Sequence, residues 1–300
     1  MQMSVLNSSG PTAERCDEGS QERFITLNGR RIRFLQAGTG LPVVLAHGLG
    51  GYSFCFRHNL PALAAHYTVY ALDFPGSGYS EAPAEGEGGL LALAKTLLGF
   101  ICQLGLKSPA IIGNSHGGAV AIVAASLAQS EGVQLGPLVL VAPVNRWSRW
   151  GAKRAAMLGR PMGAAAFRLA AKMFLLPLHH YFLRRMYGDP ARVTAKTVEG
   201  YAAALRQKGA ARNLLARVKN WEADLRLVEN ALPVCTTTPI LLIWGERDRA
   251  VDPASARHLL RALPQARLAV MPAAGHLPFE EQPEEFNALV LKFLAEAVHR

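Results

Sequence analysis

Three residue types that can act together on a carbonyl stand at the ends of apolar runs in this chain. They are a serine in IIGNSHGG (111–118), an aspartate in WGERDRAVDP (244–253) and a histidine in AAGHLPFEE (273–281). A serine hydroxyl is a weak nucleophile until a base within hydrogen-bond reach takes its proton, and the base needs an acid to orient it. Ser115 is the candidate nucleophile, His276 the base and Asp248 the orienting acid. Of the nine histidines, His299 is terminal, His58, His66 and His258 fall in helix-like stretches, and His179 and His180 lie in a long basic segment. His276 follows a strand-like run and precedes the last helix, so it can reach the same sheet edge as the serine. Glu246 sits too close to its strand end, and Asp252 before Pro253 fits a helix N-cap. That leaves Asp248.

The glycines around Ser115 have a physical purpose. A strand that turns at once into a helix strains the turn residue, and small neighbours let the two elements approach. The hydroxyl then stands above the sheet edge, beside the amide hydrogens of a helix N-terminus. A tetrahedral oxyanion formed there needs backbone donors. The amide of His116 is one. The glycine-rich loop HGLGG (47–51) supplies the other at Leu49, with Gly48 and Gly50 beside the substrate. Leu277, next to the base, and Phe174, in an apolar stretch of the basic segment, are the expected substrate contacts. The side chain of His47 is expected to brace the loop, and Asp73 to be structural.

Those residues need a scaffold. RFITL ends at Asn28-Gly29, a hairpin signal, and RIRFLQAG follows. PVVLAHG, TVYALDFPG, PAIIGNS, PLVLVAP, PILLIWG and ARLAVMP come next. Most are separated by helix-like stretches at 55–66, 90–105, 116–129, 254–263 and 284–298. This alternation predicts an eight-stranded, mostly parallel sheet with helices on both faces and an antiparallel edge hairpin. Between the sixth and seventh strands, residues 144–238 are too long for a crossover and read as an inserted helical cap. The expected organisation is a loose tail over 1–22, a core over 23–143 and 239–300, and the cap over 144–238.

Composition narrows the classes. Apolar content is 50% and charged content 18%, as in a globular chain. The cysteines Cys16, Cys55, Cys102 and Cys235 are scattered, with no CxxC pair, so free thiols and no metal site are expected. Residues 1–22 lack the apolar segment of a signal peptide, and no apolar run is long enough to span a bilayer. The expected location is cytoplasmic. The net charge of +10 is uneven: residues 144–220 hold 16 Lys and Arg against Asp189 and Glu199 alone. A solvated face explains most such cations. A basic cap surface resting peripherally on anionic membrane is the sharper expectation. No nucleic-acid module is present.

Taken together, HGLGG (47–51), DFPGSGYS (73–80), GNSHGG (113–118), GERD (245–248) and GH (275–276) resemble the α/β-hydrolase fold superfamily, in its order Ser, Asp, His. The resemblance covers about residues 22–298 and implies an α/β-hydrolase fold with a lid-like cap. Haloalkane dehalogenases and epoxide hydrolases carry aspartate where this chain has Ser115. The chain is similar to capped serine hydrolases, both carboxylesterases and the carbon–carbon bond hydrolases of aromatic ring degradation. The latter often carry GNSMGG, where this chain has His116 for methionine, and an HGSGPG-like loop in place of HGLGG. The resemblance implies a small or lipophilic ester as substrate, an acyl-enzyme intermediate and no cofactor. A carbon–carbon hydrolase, or a non-catalytic ligand receptor on the same fold, are the alternatives. Acyl chain length and oligomeric state leave no mark in the sequence.

Overall fold

Asn28 and Gly29 hold positive φ angles of 50° and 74°, the conformation a two-residue hairpin turn demands. They join β1 (Gln21–Leu27) to β2 (Arg30–Ala37) in an antiparallel pair. The computed structural model describes residues 19–83, 88–148, 178–207 and 209–298. Six further strands complete the sheet: β3 (Pro42–Ala46), β4 (Thr68–Leu72), β5 (Ala110–Asn114), β6 (Leu138–Val141), β7 (Ile240–Gly245) and β8 (Arg267–Met271). Their spatial order is β1-β2-β4-β3-β5-β6-β7-β8. β2 pairs antiparallel with β4, and every later pairing is parallel. All eight strands expected from the sequence are present.

The order places β3 between β4 and β5, so the chain leaves β3 toward one side and returns on the other. Such a switch point opens a crevice at the carboxyl ends of the strands. The loops that follow β3 and β5 meet there, in register through Ala46 and Gly113. Central strands β5, β6 and β7 are buried along their whole length. Two apolar clusters cover the two sheet faces. One contains the helices Leu90–Gln103 and His116–Leu127, the other the helix Pro283–Val298.

Two expectations shift. Residues 55–66 are a 3-10 turn, Ser53–Phe56, followed by a short helix, Leu60–Ala64, so His58 and His66 lie in turns. Pro61 is the reason: it lacks an amide hydrogen and starts a new helix rather than continuing one. The first strand begins at Gln21, inside the expected tail, because Glu22 pairs through its side chain with the buried Arg33 at 2.5 Å. Residues 1–18 lie outside the described residues, as does the part of the basic segment from 149 to 177. The described remainder is helical at 178–186, Ala195–Leu205, Ala210–Lys219 and Trp221–Ala231. Its end is not separate from the sheet: Leu225, Val228, Ala231 and Leu232 join the core cluster around the helix His116–Leu127. Among the described residues no helix is long and apolar enough to cross a membrane.

Candidate active site

Ser115 sits between β5 and the helix His116–Leu127 with φ 53° and ψ −114°. A non-glycine residue held there costs about 1–3 kcal/mol and persists only when its surroundings enforce it. They do so through hydrogen bonds. Its amide donates to the carbonyl of Val141 at 2.8 Å, and its carbonyl accepts from Ala119 at 3.1 Å and Val144 at 3.0 Å. Close approach does the rest. A β-carbon at Gly117 would stand 2.1 Å from the carbonyl oxygen of Ala46, and one at Gly113 would stand 2.6 Å from that of Gly117. Only glycines let the helix start so near β3.

The His276 ring Nδ1 lies 2.8 Å from Oδ2 of Asp248. The other carboxylate oxygen, Oδ1, accepts from the amides of Ala250 at 2.7 Å and Val251 at 2.9 Å. An ionised carboxylate only accepts, so the proton lies on Nδ1 and the lone pair on Nε2. The backbone of His276 is held on two sides. Its amide donates to the carbonyl of Met186 at 2.6 Å, and its carbonyl accepts from the Asn114 side chain at 3.4 Å. His276 and Asp248 are both buried.

Ser115 and His276 line one cavity of about 470 Å³, together with Gly48, Leu49, Gly50 and Leu277. Asp248 stands behind that cavity on His276, and the expected contribution of His116 is its amide. Phe174 lies outside the described residues. The His116 imidazole turns away, stacked on Trp221 with ring centroids 6.2 Å apart. Burial above all, then the charge of Arg217 and the neighbouring His47, push it down to about 3. Only its amide, at the helix N-terminus, is available for an oxyanion. Glu246 accepts from the amide of Ala273, and Asp252 caps the turn at Ala254, as its place before Pro253 suggested. Asp73 binds Arg33 and the amides of Ser53 and Tyr79, a structural role. His47 braces the loop through the carbonyl of Gly48.

Sequence reasoning missed several participants. Met186 and Tyr201 reach the cavity from the basic segment, and Trp221 closes its wall. Tyr201 and Tyr187 donate to Glu280, which also pairs with Arg57 at 2.6 Å. The phenols of both tyrosines are pushed well up, first by burial and then by the Glu280 charge. No local pattern marks these residues, because each partner lies far away in the chain.

A sequence model of the alpha/beta hydrolase family matches residues 43–289. The dihydrolipoyllysine-residue acetyltransferase component of the acetoin cleaving system of Pseudomonas putida is 33% identical over 298 residues, covering 96% of this chain and 70% of that protein. The 2-hydroxy-6-oxo-6-phenylhexa-2,4-dienoate hydrolase of Burkholderia cepacia is 28% identical over 297 residues, covering 93% of this chain and 98% of that one. Among solved structures, the epoxide hydrolase CorEH superposes with a TM-score of 0.79 at 21% identity, over 92% of this chain and 99% of that one. A mutant of the meta-cleavage product hydrolase CumD gives a TM-score of 0.74 at 24% identity, over 91% and 98%. At such identities the structural likeness speaks for the fold.

Proposed function

The chain belongs to the alpha/beta hydrolase family, and on that footing we propose that it is a serine hydrolase that cleaves neutral carboxylic esters through an acyl-enzyme. The observation that carries the reading is the Asp248–His276 pair beside a strained Ser115 on one cavity. His276 Nε2 takes the proton as Ser115 attacks the carbonyl. Asp248 holds the tautomer and stabilises the imidazolium. The amides of Leu49 and His116 receive the oxyanion. His276 then protonates the leaving alcohol, and water repeats the sequence on the acyl group.

The lining favours an ester over the ring-fission dienoate named for the Burkholderia relative. None of the described residues around the cavity is a lysine, arginine, aspartate or glutamate. Its walls are largely apolar, with Leu183, Leu214, Val218 and Val251 among them. Against these described walls a substrate carboxylate would lose its hydration with no lysine or arginine beside it. A neutral acyl chain loses nothing of the kind.

Rates on p-nitrophenyl esters of increasing acyl length, for wild type and Ser115→Ala, test the reading alongside a ring-fission diketone. Ester turnover, lost by at least about 10⁴-fold in Ser115→Ala, is the expected result. Faster diketone cleavage than ester cleavage would move the assignment to carbon–carbon bonds. The exposed Leu178, Tyr181 and Phe182, the last also a cavity residue, extend the proposal to peripheral contact with anionic lipid. Binding to phosphatidylserine vesicles that is indifferent to salt would remove that extension.

A further inference from the structure

One arginine of the basic segment sits behind the oxyanion loop, away from solvent. Arg217, in the helix Ala210–Lys219, is 3% exposed. Its Nη2 donates to the carbonyl of Pro75 at 2.8 Å. Asn213, one turn earlier, donates to the next carbonyl, that of Gly76, at 3.2 Å. The same helix therefore grips two successive carbonyls of the loop after β4. Burial pushes the Arg217 guanidinium down to about 10, so it remains a cation at neutral pH.

The gripped turn leads to the site through a chain of contacts. Pro75 follows Phe74, whose amide donates to Nε2 of His47 at 3.1 Å. An acceptor at Nε2 puts the imidazole proton on Nδ1. Nδ1 donates to the carbonyl of Gly48 at 2.8 Å, and the amide of Gly51 donates to the same oxygen at 3.2 Å. Both lone pairs of that carbonyl are engaged. The Gly48 carbonyl and the Leu49 amide are opposite ends of one trans peptide and point opposite ways. Holding the oxygen on the His47 side holds the N–H on the other. A β-carbon at Gly48 would stand 3.2 Å from that of Ser115, so this peptide borders the nucleophile.

We infer that Arg217 is a positioning residue for the oxyanion donor at Leu49: by gripping the turn that sets Phe74 against His47, it keeps the Gly48–Leu49 peptide aimed at Ser115. The inference rests on the reading of Ser115 as nucleophile. Its charge has a second consequence. A protonated His47 would turn Nε2 into a donor facing the Phe74 donor, and the chain of contacts would break. Burial is the largest influence on His47 and pushes it down to about 4. Arg217 adds to that push, while the Gly48 carbonyl and Asp73 oppose it. His116, the other imidazole in the group, is itself pushed down. Removing the Arg217 charge therefore lets His47 take a proton at higher pH.

The test compares wild type, Arg217→Met, Arg217→Gln and Arg217→Lys on one p-nitrophenyl ester, with fluorophosphonate labelling and inhibition by an alkylboronic acid. Arg217→Met is expected to lower kcat about tenfold with KM nearly unchanged, less than the 10²–10³ of losing a donor outright. Boronate affinity should fall by the same factor, because the tetrahedral adduct uses the same donor. Followed by NMR, the His47 imidazole should take its proton at higher pH. Arg217→Lys keeps the charge and a donor and should recover most of the rate. Arg217→Gln keeps a donor without the charge and should show the moved His47 titration with a smaller loss in kcat; it also carries the test if Arg217→Met does not fold. Wild type labelled at Ser115, with folded variants matching its kcat, boronate affinity and His47 titration, would overturn the inference and leave the function standing. Wild type that resists labelling at Ser115 would take both down.

Discussion

The turn at Ser115 and the seam between the sheet core and the helices of residues 178–231 solve the same problem by different means. At the turn, backbone meets backbone. Gly113, Gly117 and Ala46 touch through main-chain atoms, and the helix behind Ser115 is buried from His116 to Ala124. At the seam, side chains meet. Gly200 lies against the ring of Phe54, Tyr52 donates to the Gly200 carbonyl at 2.9 Å, and Tyr187, Tyr201 and Arg57 converge on Glu280. Chemistry tolerates misplacement of only a fraction of an ångström, and main chain locked on both sides provides that. The wall that admits the substrate is built from parts with rotamers to spare.

One substitution made in both places tests the contrast most severely. In Gly117→Ala the new methyl would stand 2.1 Å from the Ala46 oxygen, and neither β3 nor the helix can yield without displacing Ser115. A shift of about 1 Å costs on the order of 10²-fold in rate, so ester turnover should fall at least that far, with a lower urea midpoint. In Gly200→Ala the methyl would stand 2.1 Å from the far edge of the Phe54 ring. A ring can tilt, and alanine favours the helix by about 1 kcal/mol. Turnover should stay within a few-fold of wild type, and the acyl-length preference should change instead. Equal losses in the two variants would break the comparison.

The same contrast explains what could be read from the sequence. The eight strands and the candidates Ser115, Asp248 and His276 stood out because each candidate lies in the loop or turn just after an apolar run, and strand ends are local features. The glycine-rich loop after β3 was legible for the same reason. The seam was not. Arg57 and Glu280 are 223 positions apart, and each alone looks like a surface charge. Arg217 read as part of a solvated basic face, yet it is buried, donating to the Pro75 carbonyl beside Asn213, which serves that of Gly76. The break at Pro61 was visible in the letters. The expectation nonetheless ran one helix-like stretch across it, from 55 to 66.

Glu280 sets the next largest effect. Its Oε2 accepts from Arg57 and Tyr187, and Oε1 accepts from Tyr201. The carboxylate side chain is fully shielded and that of Arg57 is 11% exposed. Glu280→Ala strands a largely buried cation, which costs about 3–5 kcal/mol. Glu280→Gln can keep an oxygen toward Arg57 while Tyr201 turns its hydroxyl to accept, and it loses only the charge. KM should rise roughly tenfold in the alanine variant and less in the glutamine variant, with kcat changed little, since Tyr201 lines the cavity and the nucleophile turn is untouched. A fall in kcat at constant KM would place the seam inside the chemistry and dissolve the distinction. Steady-state kinetics on the preferred ester, with thermal melts, separate the outcomes.

The smallest expected effect concerns stability alone. Asp224, in the first turn of the helix Trp221–Ala231, accepts from the amide of Leu90 at 3.1 Å and so caps the helix Leu90–Gln103 from outside. Its other oxygen is buried without a partner among the described residues. Burial pushes the carboxyl up from 3.8 to about 6, against the pull of the Leu90 amide. The folded protein therefore holds a proton that the unfolded chain has released between those two values. Stability contributed by this group is present below about pH 4 and is lost as pH rises to about 6. An asparagine side chain in its place would keep the accepting oxygen and carry no charge to bury. Asp224→Asn should thus stabilise the protein at pH 7 by on the order of 1 kcal/mol, raise the melting temperature by a few degrees, and leave kcat and KM unchanged. At pH 4 the two proteins should melt together. A gain that persists undiminished at pH 4 would mean that the seam contact is set by packing and not by charge.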